Sequence, residues 1–365
     1  MTIYLINIII ITLFSLGSWN IKAGDIIINK KARVCIIFSI CWILLSGLRG
    51  MSIGPDTRAY GQDFIDIVET PWSVLLDNIV QKTSSFSSFL ESNPMNKDPG
   101  FKIITKCISV IAPTYQLYLI GVALMFMPLL GRFLYKNTKN PFLGFLLFDC
   151  LFYSFYAITG IRQTLATALI VFIGYDYIKE RKLIKFLLIS GIAFFIHKSA
   201  LCFVPFYFIS EIKITRRIII SFTLFIVFSF VFRYQLMNFL SIFMGYEQYN
   251  RQYDTSGPIT FTLLIFAVFI FCIIFKKSML KKTKDFKYKF LALSMSLFFL
   301  PLAFIDPSAM RVSYYYALFL MILIPDIIEL FSLNQKKFIT LIITILMILL
   351  LISNNPVYKF FWQDY

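Results

Sequence analysis

Five polar sites stand at or just inside the ends of long apolar runs: Arg49, the turn around Asp56, Arg162, His197 and Arg311. Charged and imidazole side chains at membrane depth are costly, so they persist mainly where they pair, line a cavity or bind something. A guanidinium fork suits a phosphate, and a carboxylate or imidazole beside it can take a proton from a hydroxyl. Together these residue types describe a site for an anionic lipid headgroup. A pyrophosphate fits well, because arginines can neutralise its charge as it leaves.

Each site sits in a short motif. The first runs from Arg49 to Tyr60, R-G-M-S-I-G-P-D-T-R-A-Y. Gly54 and Pro55 make a turn that places Asp56 beside the membrane face, where it accepts a proton or orients a hydroxyl while Arg49 clamps a phosphate. The competing structural reading has Arg49 snorkelling to the interface and Asp56 capping a helix that begins at Thr57. The second motif is Gly160-Ile161-Arg162-Gln163, at the tip of a tight helical hairpin. Gln163, Ala166, Thr167 and Gly174 then share one face for close helix packing. The third, His197-Lys198-Ser199, holds the single histidine of the chain, and the fourth, Asp306 to Arg311, is a turn whose end residues could simply pair. Each motif alone is unspecific. Their convergence on one side of a membrane is what carries the reading.

The rest of the chain bounds the chemistry. No phosphate-binding glycine loop, HExxH or DxD pair is present, so neither a cofactor nor a metal is expected. The six cysteines lack paired spacing, which argues against a disulfide framework. At 59% hydrophobic and 15% charged residues, with a mean hydropathy of +0.77, the 365-residue chain is not a soluble globule. Its net charge of +16 lies in breaks between apolar runs rather than on an aromatic-laced face, which excludes nucleic acid as the partner.

Those runs are expected as an all-α, polytopic helical bundle forming a single domain with about twelve spans. They cover 3–20, 34–48, 114–131, 141–159, 161–178, 184–197, 198–210, 216–233, 258–275, 288–305, 311–330 and 337–353. The first is read as a retained helix, not a signal peptide. Alternate breaks hold 23 of the 35 Lys and Arg, so the positive-inside rule puts both termini, and all five polar sites, outside. Residues 184–210 are too few for two full crossings, which predicts two short helices meeting at a recessed tip, His197 to Ser199. Two outer loops follow, at 49–112 and 234–257. The first carries an amphipathic helix with Phe101, Ile104, Ile108 and Ile111 opposite Lys102, Lys106 and Ser109. The second is rich in tyrosines that could stack on sugars or anchor at the interface.

The Arg49 to Tyr60 run, the Arg162-Gln163 pair with Leu165-Ala166, the stretch Ile196 to Leu201, and Arg311-Val312-Ser313-Tyr314-Tyr315-Tyr316 resemble the EpsG family, the Wzy-type polymerases of bacterial surface polysaccharides. Their order and spacing cover most of the chain. Asp98-Pro99-Gly100-Phe101 stands where that family usually has an acidic residue before a glycine and an aromatic, with Asp for the expected Glu. The resemblance implies a multi-pass inner-membrane enzyme like the GT-C-type membrane glycosyltransferases, with its site facing the periplasm. It would move a growing glycan from undecaprenyl pyrophosphate to a hydroxyl of an incoming lipid-linked repeat unit, making O-antigen, capsule or exopolysaccharide. The implied partners are that lipid-linked oligosaccharide, membrane lipid, a chain-length regulator and a flippase. Arg49, Tyr60, Arg162, Gln163, Ser199 and Arg311 become binders of pyrophosphate or glycan, and Asp56 or His197 the base.

Two other classes compete. A polysaccharide flippase or other transporter should line a midplane path with charge and show an internal repeat, and neither is visible. A membrane acyltransferase acting on surface sugars usually needs a histidine deep in an acyl route, whereas His197 is expected at an outer tip.

Overall fold

The computed structural model describes residues 1–17, 21–23, 26–83, 98–244, 257–283 and 285–363. Among these residues the chain forms nineteen α-helices, with short 3-10 and π-helical stretches and one small antiparallel hairpin pairing Ile21 with Ile28. The all-α expectation holds. Local sequence sets many of the helix starts. Asn29, Thr114, Asn140 and Thr215 each accept a hydrogen bond from a backbone N–H three residues on, and Pro99 and Pro141 occupy first-turn positions where no N–H is needed.

A helix rises at each of the apolar runs, but not all of them are long. Three have the length and composition to cross a membrane: Tyr115–Asn137, Phe286–Phe304 and Leu333–Ser353. Three bent pairs raise this to six, the sharpest being Arg216–Val231 with Arg233–Ile242 at 82°. Among the described residues, then, helices of that length number three to six, and twelve full spans are not shown. Several of the remaining runs are shorter apolar helices such as Thr2–Leu16 and Leu183–Ile196. Bends and breaks shorten them, which irregular backbone permits where protein surrounds it.

The Phe286–Phe299 helix is buried almost throughout and forms the centre, whereas Leu333–Ser353 buries little beyond Met347 and Leu351. Inside, aromatic rings interlock: Phe133 meets Phe319 edge-on at 6.0 Å and Phe203 lies 5.1 Å from Tyr316. Lipid is as apolar as these rings, so close packing rather than transfer from water holds the interior together. Small residues permit such packing. Lys30–Gly47 lies against Tyr115–Asn137 where Ser39 Oγ donates to Met127 O at 3.1 Å, and a Cβ on Gly131 would meet Ser39 Oγ at 2.8 Å.

The Tyr115–Asn137 helix, about 33 Å long at 1.5 Å per residue, joins two polar ends. At one, the Tyr115 hydroxyl donates to Thr57 O at 3.0 Å. At the other, Asn137 accepts from Lys179 through its side chain at 2.7 Å and from Lys289 through its carbonyl at 3.1 Å. Lys289 also pairs with Asp326 at 2.5 Å, and nearby Asp176 holds Arg132 and Lys136.

The break expected within 184–210 falls at His197, whose extended backbone ends Leu183–Ile196 before a 3-10 turn, Lys198–Phe203. The chain then doubles back: Arg181 donates to Tyr207 O at 2.9 Å, and the Phe186 and Tyr207 rings stack at 5.3 Å. In the 49–112 region, helices Thr57–Glu69, Trp72–Thr83 and Pro99–Ile111 are formed, and residues 84–97 lie outside the described set. The amphipathic reading of Pro99–Ile111 needs correction. Lys106 and Ser109 are buried and Ile111 is exposed, because the Lys106 ammonium donates to Ile67 O and Val68 O at 3.0 and 2.8 Å. That ammonium caps the carbonyl end of Thr57–Glu69 instead of facing water. Within 234–257, residues up to Met244 are helical, and Tyr246, Tyr249 and Tyr253 lie outside the described residues.

Candidate functional site

Four separate segments meet around Arg162. Gly160 ends the π-helical stretch Ser154–Thr159, and Ile161–Thr167 starts at once, so Arg162 projects from the first turn of a new helix. One guanidinium nitrogen reaches Asp63 at 2.5 Å, the other Asp98 at 3.4 Å, and the plane lies 5.5 Å from the Tyr60 ring and 5.2 Å from Phe101. His197 Nδ1 contacts the same Asp98 oxygen at 3.2 Å. Asp98 therefore joins an arginine and a histidine that stand 35 positions apart in sequence.

Asp98 adopts a left-handed backbone, φ +55°, directly before Pro99. As the residue before the helix it would ordinarily cap the first turn, yet it makes no side-chain cap bond. The carboxylate turns to Arg162 and His197 instead. A non-glycine residue at positive φ is disfavoured, and such positions gather at functional sites. Its exposure is 0%, against 44% for the Asp63 side chain, so one partner of Arg162 is fixed and the other meets the outside.

Two contacts extend the site. Arg311 faces Asp56 at 3.5 Å with its plane 5.7 Å from Phe155, and its backbone carbonyl accepts from Gln163 Nε2 at 2.6 Å. Ser199 Oγ and the Tyr315 hydroxyl lie 2.9 Å apart. Thus Tyr60, Arg162, Gln163, His197, Ser199, Arg311 and Asp56 are brought to one end of the bundle. Burial pushes the Tyr60 phenol up, so it stays a neutral donor beside Arg162. Asp306 does not pair with Arg311, because its carboxylate accepts from Ser308 N at 2.7 Å.

The first motif combines both sequence readings. A helix does begin at Thr57, after a turn in which Gly54 has φ +90° and a Cβ would meet Ile158 at 2.7 Å. Asp56 makes no cap bond and faces Arg311. Arg49 neither snorkels nor offers its fork to an open site. It is 1% exposed, and its guanidinium donates to Ser46 O, to Ser46 Oγ at 3.1 Å and to Ile158 O at 3.0 Å. Two of these acceptors, Ser46 O and Ile158 O, are carbonyls freed near helix ends, which a buried cation satisfies. The backbone on either side is pinned as well: Gly50 N donates to Lys359 O at 2.9 Å, Phe361 N to Leu48 O at 3.0 Å, and the Tyr358 hydroxyl to Leu45 O at 2.8 Å.

Asp63 escaped the sequence reading, although a signal was present. Asp56, Tyr60 and Asp63 are spaced four and three residues apart, so one helix face points all three the same way. Among the described residues no group of His, Cys, Asp and Glu could hold a metal ion.

Several long apolar helices with charged clusters at their ends define a multi-pass membrane protein. The chain belongs to the EpsG family, whose model matches residues 32–365, and that family is linked to polysaccharide biosynthesis. No curated protein and no solved structure matches the chain.

Proposed function

We propose that the chain is a Wzy-type repeat-unit polymerase, one helical domain with its site on the outer face of the bacterial inner membrane. The acceptor sugar's hydroxyl oxygen attacks the anomeric carbon of the growing glycan as the carbon–oxygen bond to undecaprenyl pyrophosphate breaks. The bonding pair leaves with the pyrophosphate, and the hydroxyl proton passes to a base on the protein. A flippase supplies the lipid-linked units, and a chain-length regulator works beside the enzyme.

The observation that carries this reading is the triplet of Arg162, Asp98 and His197. A carboxylate only accepts, so Nδ1 of His197 is the nitrogen that donates to Asp98 and Nε2 is the one left to take a proton, which favours His197 over Asp56 as the base. Arg162 supplies the fork for the leaving group. Its contact with the exposed Asp63 is the one an incoming pyrophosphate displaces, while Asp98 keeps the guanidinium in place. Tyr60, Gln163, Ser199 and Arg311 complete the glycan and phosphate contacts, and Arg49 acts through backbone by fixing the turn that presents Asp56.

Deleting the gene tests the class of activity. A polymerase leaves single capped repeat units on the cell, a flippase leaves none, and an acyltransferase leaves full-length chains. Only the first outcome agrees with the proposal. In a cysteine-free background, cysteines at the exposed Arg58 and at Ser308 should react with an impermeant thiol reagent, and one at the exposed Lys282 should not. Labelling at Lys282 would reverse the orientation.

A further inference from the structure

An apolar groove of about 690 Å³ runs between Pro99–Ile111 and Leu183–Ile196. Ile103, Ile104, Leu187, Leu188, Ile192 and Phe195 line it. Many helices here show apolar side chains to lipid, so exposure alone distinguishes nothing; the shape and the end of this groove do. At one end the two helices touch. A Cβ on Gly100 would lie 2.9 Å from the Phe195 carbonyl group, so only glycine allows that approach. Further along the wall, Gly191 has no atom within 4 Å of where its Cβ would be, which leaves the floor open. The helices thus form a wedge, closed at Gly100 and open beyond it.

The closed end abuts the charged site. Asp98 lies two residues before Gly100 and His197 one residue after Ile196, and both meet there beneath Arg162. An uncharged trough that terminates on an arginine and a histidine fits a long apolar chain bearing an anionic group at one end. From Ile184 to Ile196 the helical wall extends about 18 Å at 1.5 Å per residue, enough to seat the first part of such a chain and leave the rest in the bilayer. A volume of this size also lies within the usual range for ligand sites, roughly 300–1,000 Å³.

We propose that this groove seats the polyisoprenyl tail of the lipid-linked substrate, with its diphosphate at Arg162 and His197. The identity of the tail rests on the polymerase reading, while the groove's preference for a single-chain isoprenoid diphosphate over a two-chain anionic lipid is open to a separate test. Seating the first isoprenoid units between two helices would fix the phosphate end at the depth of the arginine, so the wedge acts as a depth gauge for the bond to be broken.

The test uses the full chain in lipid nanodiscs and a geranylgeranyl diphosphate with a diazirine in its last isoprene unit. After irradiation, the label should map to peptides spanning 184–196 and 100–104. Excess unlabelled geranylgeranyl diphosphate should compete, and the same amount of phosphatidylglycerol should not. Gly191→Trp fills the open floor and should lower that labelling at least tenfold; Gly191→Leu, a smaller plug, should lower it several-fold. Label spread equally over the lipid-facing Leu333–Ser353 helix, equal competition by phosphatidylglycerol, or labelling unchanged in both folded variants would overturn the proposal. The two readings fail differently. Groove-confined labelling by a protein that makes no polymer would retain the groove and remove the polymerase. Wild-type polymer from both Gly191 variants, alongside none from Arg162→Ala, would do the reverse.

Discussion

An ion-paired cation stands at each end of the bundle, Lys289 and Arg162, and their surroundings differ in kind. Lys289 and Asp326 are sealed, with 4% and 11% of their side chains exposed, and the lysine is further bound to Asn137 O. Arg162 shares its charge between a sealed carboxylate and an open one, with a histidine and an aromatic ring alongside. A sealed pair has nothing left to offer a ligand, and its loss exposes an uncompensated charge. An open pair can exchange one partner for an incoming anion. The comparison teaches that burial by itself marks architecture, and that one exchangeable contact marks a site.

The strongest way to break that comparison is at Arg162. Arg162→Ala should lower polymer formation roughly 10³-fold, as expected when a preorganised donor to the leaving charge is lost. Arg162→Lys keeps the charge but not the fork, so it should fall nearly as far, read as polymer length on a gel at matched membrane abundance. Activity of the lysine variant equal to wild type would make Arg162 a point charge. Next in size is His197→Gln, with an expected loss of roughly 10²-fold from the missing proton acceptor.

At the other end the readout should be stability. Lys289→Ala, which strands Asp326, should cost about 3–5 kcal/mol, and the double change Lys289→Met with Asp326→Leu should restore the melting temperature in detergent with polymer intact. Loss of polymer in a stable double variant would mean that both ends serve the reaction. The smallest effect is expected at Asp56→Asn. It keeps the hydrogen-bonding shape toward Arg311 and should reduce activity less than about tenfold if His197 is the base. Abolished polymer from Asp56→Asn with full polymer from His197→Gln would exchange the two roles.

Much of this arrangement was legible beforehand, for definite reasons. Apolar runs and flanking charge located the helices, and the shortage of residues between 184 and 210 located the break at His197. Gly54-Pro55 announced the turn that presents Asp56. The network itself was less visible. Asp63 reads as one polar residue on an amphipathic helix until Arg162, 99 positions later, is placed against it. Asp98 stood out only through the family resemblance, as an Asp in place of a Glu, because neither its left-handed backbone nor its contacts with Arg162 and His197 leave a periodic trace. Arg49 misled in a different way: residue type and position suggested a ligand contact, whereas helix-end carbonyls claimed the guanidinium. Hydropathy marked where the apolar runs lie but could not show their breaks, such as the 82° bend between Arg216–Val231 and Arg233–Ile242.

The strap that holds the Arg49 segment has a consequence for how the molecule is made. Leu45 and Tyr358 are joined across 313 positions, and the neighbouring backbone pairs in the same place. At translation rates of about 5–20 residues per second, the early strand waits roughly 15–60 s before its partner is synthesised. Until then the turn bearing Asp56 lacks this clasp, while many of the helices between have already entered the membrane. Fastening of the end that bears Arg162 is thereby deferred until residue 358 has been made, and a nascent chain stalled before Tyr358 would hold its apolar helices without a fastened turn above them.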